Sequence, residues 1–321
     1  MKAFIKTKYG GPEVLRLEEV EMPVIKDDHI LVKVVANAAN PADWHLMRGE
    51  PFVARFTAGL FKPKEKIAGA DFSGIVVETG SRVTQFNIGD KVFGESLLGG
   101  AFAEYVAVPV AVCAKVPDNV TLVQMAALPI AGLTALQALV THGKVKQGET
   151  VLINGASGGV GHFAVQIARA YGARVTAVCS SRNVDFVKSL GADDVIAYDK
   201  QHIHQHKGNY DLIVDANGNL EYGDYKRMGK RGVIIGFTTM GHMVSTLIKK
   251  AFGSYPLIQF TAAANQHDLQ TLATLVAEGK ITASIEKVFP YTEIPEAIRY
   301  IEGMRTRGKV VMQWLQEDHS L

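Results

Sequence analysis

The stretch Thr150-Val151-Leu152-Ile153-Asn154-Gly155-Ala156-Ser157-Gly158-Gly159-Val160-Gly161 decides the fold of this 321-residue chain. A strand-forming run passes straight into a glycine turn, then into an amphipathic pattern from His162 to Tyr171 and a second apolar run from Arg174 to Cys179. A glycine turn between strand and helix lets backbone N–H groups approach a pyrophosphate at the positive end of the helix. Strand, loop, helix and strand together therefore predict a dinucleotide site, whereas the loop alone would read equally as turn chemistry. The strict G-x-G-x-x-G spelling is broken once: Ala156 takes its first glycine, and Gly158 and Gly161 the other two.

Outward from this loop, apolar runs recur at 151–154, 174–179, 194–197, 212–215, 233–237 and 257–261, separated by helical patterns. Continuous apolar strands mean that both sheet faces are covered, so the class is α/β, a doubly wound parallel sheet of six strands, the Rossmann arrangement. Upstream the rhythm differs. Short strands at 3–6, 30–36, 74–79 and 103–108, separated by turns such as Thr79-Gly80-Ser81 and Ile88-Gly89-Asp90, predict a small irregular β-barrel. Helical segments at 268–278 and 296–304 and a last strand at 310–314 are too short to fold alone and should return to the barrel. The expected domains are 1–121 with 267–321, and 122–266 between them.

The slot that reads the cofactor's 2′ position, about 20 residues after the glycine loop, is Cys179-Ser180-Ser181-Arg182. It lacks the carboxylate that would bind a free ribose hydroxyl. Ser180 with the Arg182 guanidinium suits a 2′-phosphate, which favours NADPH; a capping or solvent-facing role is the competing reading of Arg182.

Lys plus Arg number 34 against 32 Asp plus Glu, a net charge of +2, too even for a dedicated nucleic-acid or membrane-surface binder. No membrane or nucleic-acid partner is expected. Two cysteines, Cys113 and Cys179, exclude a disulfide framework and any four-cysteine zinc site. With no apolar h-region in the first residues, the expected location is cytoplasmic.

Beyond these residues the chain resembles, nearly end to end, the zinc-free quinone oxidoreductase branch of the medium-chain dehydrogenase/reductase superfamily. The resemblance is carried by Asn40-Pro41-Ala42-Asp43, Gly69-Ala70-Asp71-Phe72-Ser73-Gly74, Gly89-Asp90-Lys91-Val92, Gly132-Leu133-Thr134-Ala135, the glycine loop, Leu190-Gly191-Ala192-Asp193 and Gly308-Lys309-Val310-Val311. It implies a GroES-like β-barrel domain beside the Rossmann domain, an active site in the cleft between them, and a homodimer. Ser157, Gly158, Gly159 and Val160 would hold the pyrophosphate, and Ser180, Arg182 and Tyr198 the 2′-phosphate. Thr134 would lie beside the nicotinamide, Gly236, Phe237 and Thr238 would close over it, and Asn217 would sit at the crevice. For Asn217 and Phe237, plain loop chemistry competes. Where zinc-dependent relatives carry Cys, His and Cys, this chain has Asn40, Ala70 and, near the third position, Ile130, so no metal is expected.

Without a Lewis acid, hydride transfer suits substrates that are already activated, which points to a quinone or an enone rather than a saturated alcohol. A reductase of quinones is the leading reading. An enone or alkenal double-bond reductase is its alternative, and a nucleotide-binding regulatory protein with little turnover the reading from another class. Asn40 is the expected donor to the developing oxyanion and His45 the expected proton source, against a merely structural or solvent-facing histidine. Trp44, Met47, Phe52 and Phe56 read either as an apolar substrate pocket or as barrel core. His202, His204 and His206 alternate as strand-borne metal ligands would, but read as an exposed loop.

Overall fold

A computed structural model describes residues 1–52, 55–97, 99–237 and 239–315. The chain divides into two compact units: Met1–Ala131 with Ala264–Ala277 and Ala283–Leu321, and Gly132–Ala263 with Glu278–Thr282.

The second unit is built on six parallel strands in the order Asp194–Ala197, Arg174–Cys179, Thr150–Asn154, Leu212–Asp215, Gly232–Ile234, Leu257–Gln259. The chain winds outward from Thr150–Asn154 in one direction, then restarts beside it at Leu212–Asp215 and winds the other way. That reversal is the switch point at whose carboxyl edge such sheets bind ligands. Val151, Leu152, Ile153, Leu212, Ile213 and Val214 are fully buried, as strands covered on both faces must be. The expected strand 233–237 ends at Ile234 and the expected 257–261 at Gln259. An unanticipated helix, Met240–Phe252, stands between them.

The first unit holds a seven-stranded sheet centred on His29–Ala39, which pairs with Lys309–Gln313, Asp71–Thr79 and Tyr105–Pro109. Register shifts within its eleven residues let one strand serve several partners, as the bend of a small barrel requires. The tail pairs with the strands of this barrel. Lys309–Gln313 pairs antiparallel to His29–Ala39, and Ile285–Pro290 runs parallel to Lys309–Gln313. The helix Ile294–Glu302 buries Ile294, Ala297, Ile298 and Ile301, the spacing of one helical face, in the cluster that holds Phe72, Phe102 and Trp314. Strands Arg16–Glu19, Lys91–Glu95, Cys113–Lys115 and Ile285–Pro290 were not among those expected.

Candidate active site and nucleotide cradle

In the second unit, Gly155 N–H and Ala156 N–H both donate to Val178 O, at 3.1 and 3.0 Å, which ties the glycine loop to the neighbouring strand. Gly155 adopts φ +80. The left-handed turn thus lies one residue before the strict pattern's first glycine, and Ala156 fits where it stands. A Cβ on Gly161 would lie 2.0 Å from Gly155 O, so only glycine allows helix Gly159–Ala170 to start this close to the strand. Gly158 is the residue before that helix, whose first N–H groups and dipole face the loop.

Around the loop the structure gathers the segments that follow four other strands. Asn183 Nδ2 donates to Ser157 Oγ at 3.0 Å, joining the loop to the Ser180–Asn183 turn. Tyr198 is half exposed, and its N–H donates to Cys179 O at 3.0 Å, so it stands beside that turn. A Cβ on Gly155 would lie 3.2 Å from the Asn217 Cβ, and one on Gly218, at φ +64, would lie 2.1 Å from Gly236 O. Ser157, Asn217, Gly218 and Gly236 therefore share one carboxyl edge. Nothing lies within 4 Å of a Cβ built on Gly236, and the Phe237 ring stands edge-on to His242 at 5.8 Å. Thr134 is buried in helix Pro129–Leu136. Thr238 lies outside the described residues.

Asp215, at the end of its strand, organises this edge. Its Oδ1 accepts from Asn154 Nδ2 and from the Asn217 and Gly218 N–H groups at 2.7, 3.2 and 2.8 Å, and its Oδ2 from Leu220 N–H and Tyr225 OH at 3.0 and 2.9 Å. Asp199 was also missed. Its oxygens accept from Ser181 Oγ and Ser181 N–H at 2.6 and 2.8 Å, which hold its carboxyl below the usual range and fix the turn carrying Arg182. The Tyr198-Asp199 pair, directly after a strand, was the signal for it.

The residues gathered on one edge include several of those expected to hold a nucleotide. Residues 26–118 match the alcohol dehydrogenase GroES-like domain, and residues 190–312 match the zinc-binding dehydrogenase family model. The chain is 34% identical to the chloroplast envelope quinone oxidoreductase homolog of Arabidopsis thaliana over 98% of each. It is 33% identical to the NADPH-dependent alkenal/one oxidoreductase of the same plant, over 97% of this chain and 79% of that one. The quinone oxidoreductase structure from Coxiella burnetii superposes with a TM-score of 0.86 at 33% identity, over 98% of this chain and 99% of that one. The chain belongs to the quinone oxidoreductase branch of the medium-chain dehydrogenase/reductase superfamily.

In this medium-chain oxidoreductase the other expected site residues lie in the first unit, and Asn40 is not arranged as expected. Asn40 is buried before helix Pro41–Arg48, and its N–H donates to Asp43 Oδ2 at 2.8 Å. Its amide donates to Asp71 Oδ2 at 2.8 Å and to Ala38 O at 3.3 Å, while its Oδ1 accepts from Lys309 Nζ. Both amide hydrogens are bonded inside the barrel, so in this arrangement Asn40 bridges Asp71 and Lys309 and offers neither hydrogen as the expected oxyanion donor. Asp71 Oδ1 accepts from Ile130 N–H at 3.0 Å, and Lys309 Nζ also reaches Ala39 O. Burial pushes Lys309 down and Asp71 up, and each charge opposes the other's shift.

His45 sits on the same helix, its ring stacked on Trp44 at 3.7 Å and its Nδ1 3.1 Å from Glu50 O. Partial burial lowers its pKa. Met47 belongs to the barrel core, whereas Phe52 and Phe56 are exposed and packed edge-on at 6.2 Å. The three histidines form no metal cluster: His204 pairs with Asp224 at 2.6 Å and His206 with Tyr210 at 3.0 Å.

The zinc positions of the superfamily do not fit a metal here. Asn40 is committed to its bridge, Ala70 is buried, Ile130 offers a hydrocarbon side chain, and none is a thiolate, imidazole or carboxylate. Among the described residues no group of three or more His, Cys, Asp or Glu could hold a metal. No described helix is long and apolar enough to cross a membrane. Relatives carry chloroplastic names, so membership does not place the protein in the cytoplasm.

Proposed function

We propose that the protein is an NADPH-dependent, metal-independent reductase of quinones. The observation that supports the reading is a glycine loop that only glycine at Gly161 permits, in a chain with Asn40, Ala70 and Ile130 at the superfamily's metal positions, since without a metal a substrate that receives hydride must carry its own activation. Bound NADPH supplies hydride from C4 of its nicotinamide. The N–H groups from Ser157 to Val160 and the helix N-terminus hold the pyrophosphate. Ser180, Arg182 and Tyr198 hold the 2′-phosphate, Asn217 lines the crevice, and Thr134, Gly236 and Phe237 border the nicotinamide.

Hydride arrival leaves negative charge on a quinone oxygen, which is discharged by a proton. His45 delivers it. Of the two side chains first expected to do the chemistry, Asn40 has no titratable proton and is buried, whereas the His45 imidazole is partly open to solvent. Enones accept hydride by the same logic, and the relative named an alkenal/one oxidoreductase, at 33% identity, supports this second reading. NADPH oxidation measured against a panel of quinones and alkenals separates the two. Higher kcat/KM for quinones supports the first reading, and a preference for alkenals replaces it with the second.

The homodimer belongs to this proposal as well. Helix Met240–Phe252 buries Thr246 and turns Val244, Leu247, Ile248 and Phe252 to solvent, an apolar face that a second copy would cover. Sedimentation that finds only monomer at micromolar concentration would remove the dimer.

A further inference from the structure

We propose that Asn183 aims the Ser157 hydroxyl at the cofactor's pyrophosphate. The assignment rests on the nucleotide reading above and adds a positioning residue to it. Asn183 stands immediately before helix Val184–Ser189, where an asparagine side chain ordinarily caps the first turn. It makes no cap. The buried side chain reaches instead across the sheet edge, and its Nδ2 donates to Ser157 Oγ.

A serine hydroxyl has one proton and two acceptor lone pairs. With one lone pair held by the Asn183 amide, the Ser157 O–H rotates away from Asn183 and becomes a directed donor. Ser157 directly precedes Gly158 and the start of helix Gly159–Ala170, so a phosphate oxygen held by the helix N–H groups is the acceptor within reach. A fixed donor to a charged oxygen is stronger than a hydroxyl that must first be ordered.

Asn183 also follows Arg182 in the chain. Its own N–H donates to Ser180 O at 2.9 Å, and Ser181 is fastened to Asp199. The turn that faces the 2′-phosphate is thus clamped to Asp199 on one side and, through Asn183, to the pyrophosphate loop on the other. Asn183 joins the two phosphate sites.

The test titrates the full chain with NADPH, followed by fluorescence, and with 2′-AMP, which carries the 2′-phosphate but no pyrophosphate, followed by calorimetry. Asn183→Ala should weaken NADPH about tenfold, the effect of disordering one hydrogen bond to a charged acceptor, and change 2′-AMP by less than about twofold, because Asp199 still holds Ser181 and with it the 2′-phosphate turn. In a Ser157→Ala background the same change should add less than about twofold, because no hydroxyl remains to be aimed. Asn183→Asp keeps the side chain's size, accepts a hydrogen bond from the Ser157 O–H on its carboxylate and so turns that donor away from the phosphate, and should weaken NADPH more than alanine does. This variant keeps the proposal testable should Asn183→Ala not fold. Equal losses for NADPH and 2′-AMP, or a full Asn183 effect without the Ser157 hydroxyl, overturn the assignment. A parent protein that binds neither ligand overturns the nucleotide reading itself.

Discussion

Lys309 Nζ lies 3.5 Å from Asp71 Oδ2, with both side chains out of water and the Asn40 carboxamide bonded to each. Removing one member leaves the other as a buried charge without its partner. Lys309→Met should therefore destabilise the barrel by about 3–5 kcal/mol, and Lys309→Met with Asp71→Leu should recover much of that loss. Urea denaturation measures both. A single variant as stable as the parent would show that the pair is not an ionic keystone.

Asn40→Ala and His45→Gln should separate stability from catalysis. The first deprives Asp71 of a donor and Lys309 of an acceptor, costing about 1–3 kcal/mol while leaving the single-turnover rate per folded molecule near the parent's. The second touches a side chain at the surface of its helix. It should leave the melting temperature alone and slow quinone reduction by roughly 100-fold or more. Because burial lowers the His45 pKa, the parent's rate should decline as pH rises through a value below that of a free histidine, and the variant should lose this limb. The reverse pattern would return the catalytic role to Asn40.

Stability should respond to pH through Glu95. Burial, reinforced by Asp71 and Asp43, pushes its carboxyl up to about 8, and Asp43 is likewise pushed up to about 7. A group that holds its proton more tightly when folded stabilises fully below its unfolded pKa, and that stability is lost as pH rises through the folded one. For Glu95 the loss runs from about 4.5 to about 8, at up to ~1.4 kcal/mol per pH unit. Glu95→Gln removes the titration, so its stability relative to the parent should rise from pH 5 to pH 8. A difference that does not vary with pH would refute this.

Arg182→Ala should weaken NADPH by about 1.5–3 kcal/mol, roughly 10- to 150-fold, and NADH far less, since only NADPH offers a 2′-phosphate. Equal losses for both cofactors, read by fluorescence titration, would assign Arg182 to the turn alone.

How much of this was legible in the sequence follows from the range of the interactions. The six parallel strands and the glycine loop are local signals: apolar runs, a glycine turn and a helical period within 30 residues. Ile285–Pro290 escaped because Glu286 and Lys287 break its apolar pattern at an edge. Asn40 stands out in the sequence as a candidate side chain, but the use of its amide depends on Lys309, 269 positions away. No local pattern reports that pairing. Asn183 was hidden by its position, since an asparagine before a helix reads as a cap and only the fold brings Ser157 within its reach.

The central claim is NADPH-dependent quinone reduction without a metal. Its most direct test mixes the chelator-dialysed protein, in excess chelator and without oxygen, with NADPH and a benzoquinone, and follows NADPH loss and hydroquinone formation together. The account predicts NADPH consumed one for one with hydroquinone formed, at a rate that chelation leaves unchanged and that NADH does not match. Loss of turnover on chelation with recovery on added zinc, or no hydroquinone beyond the enzyme-free control, would contradict it.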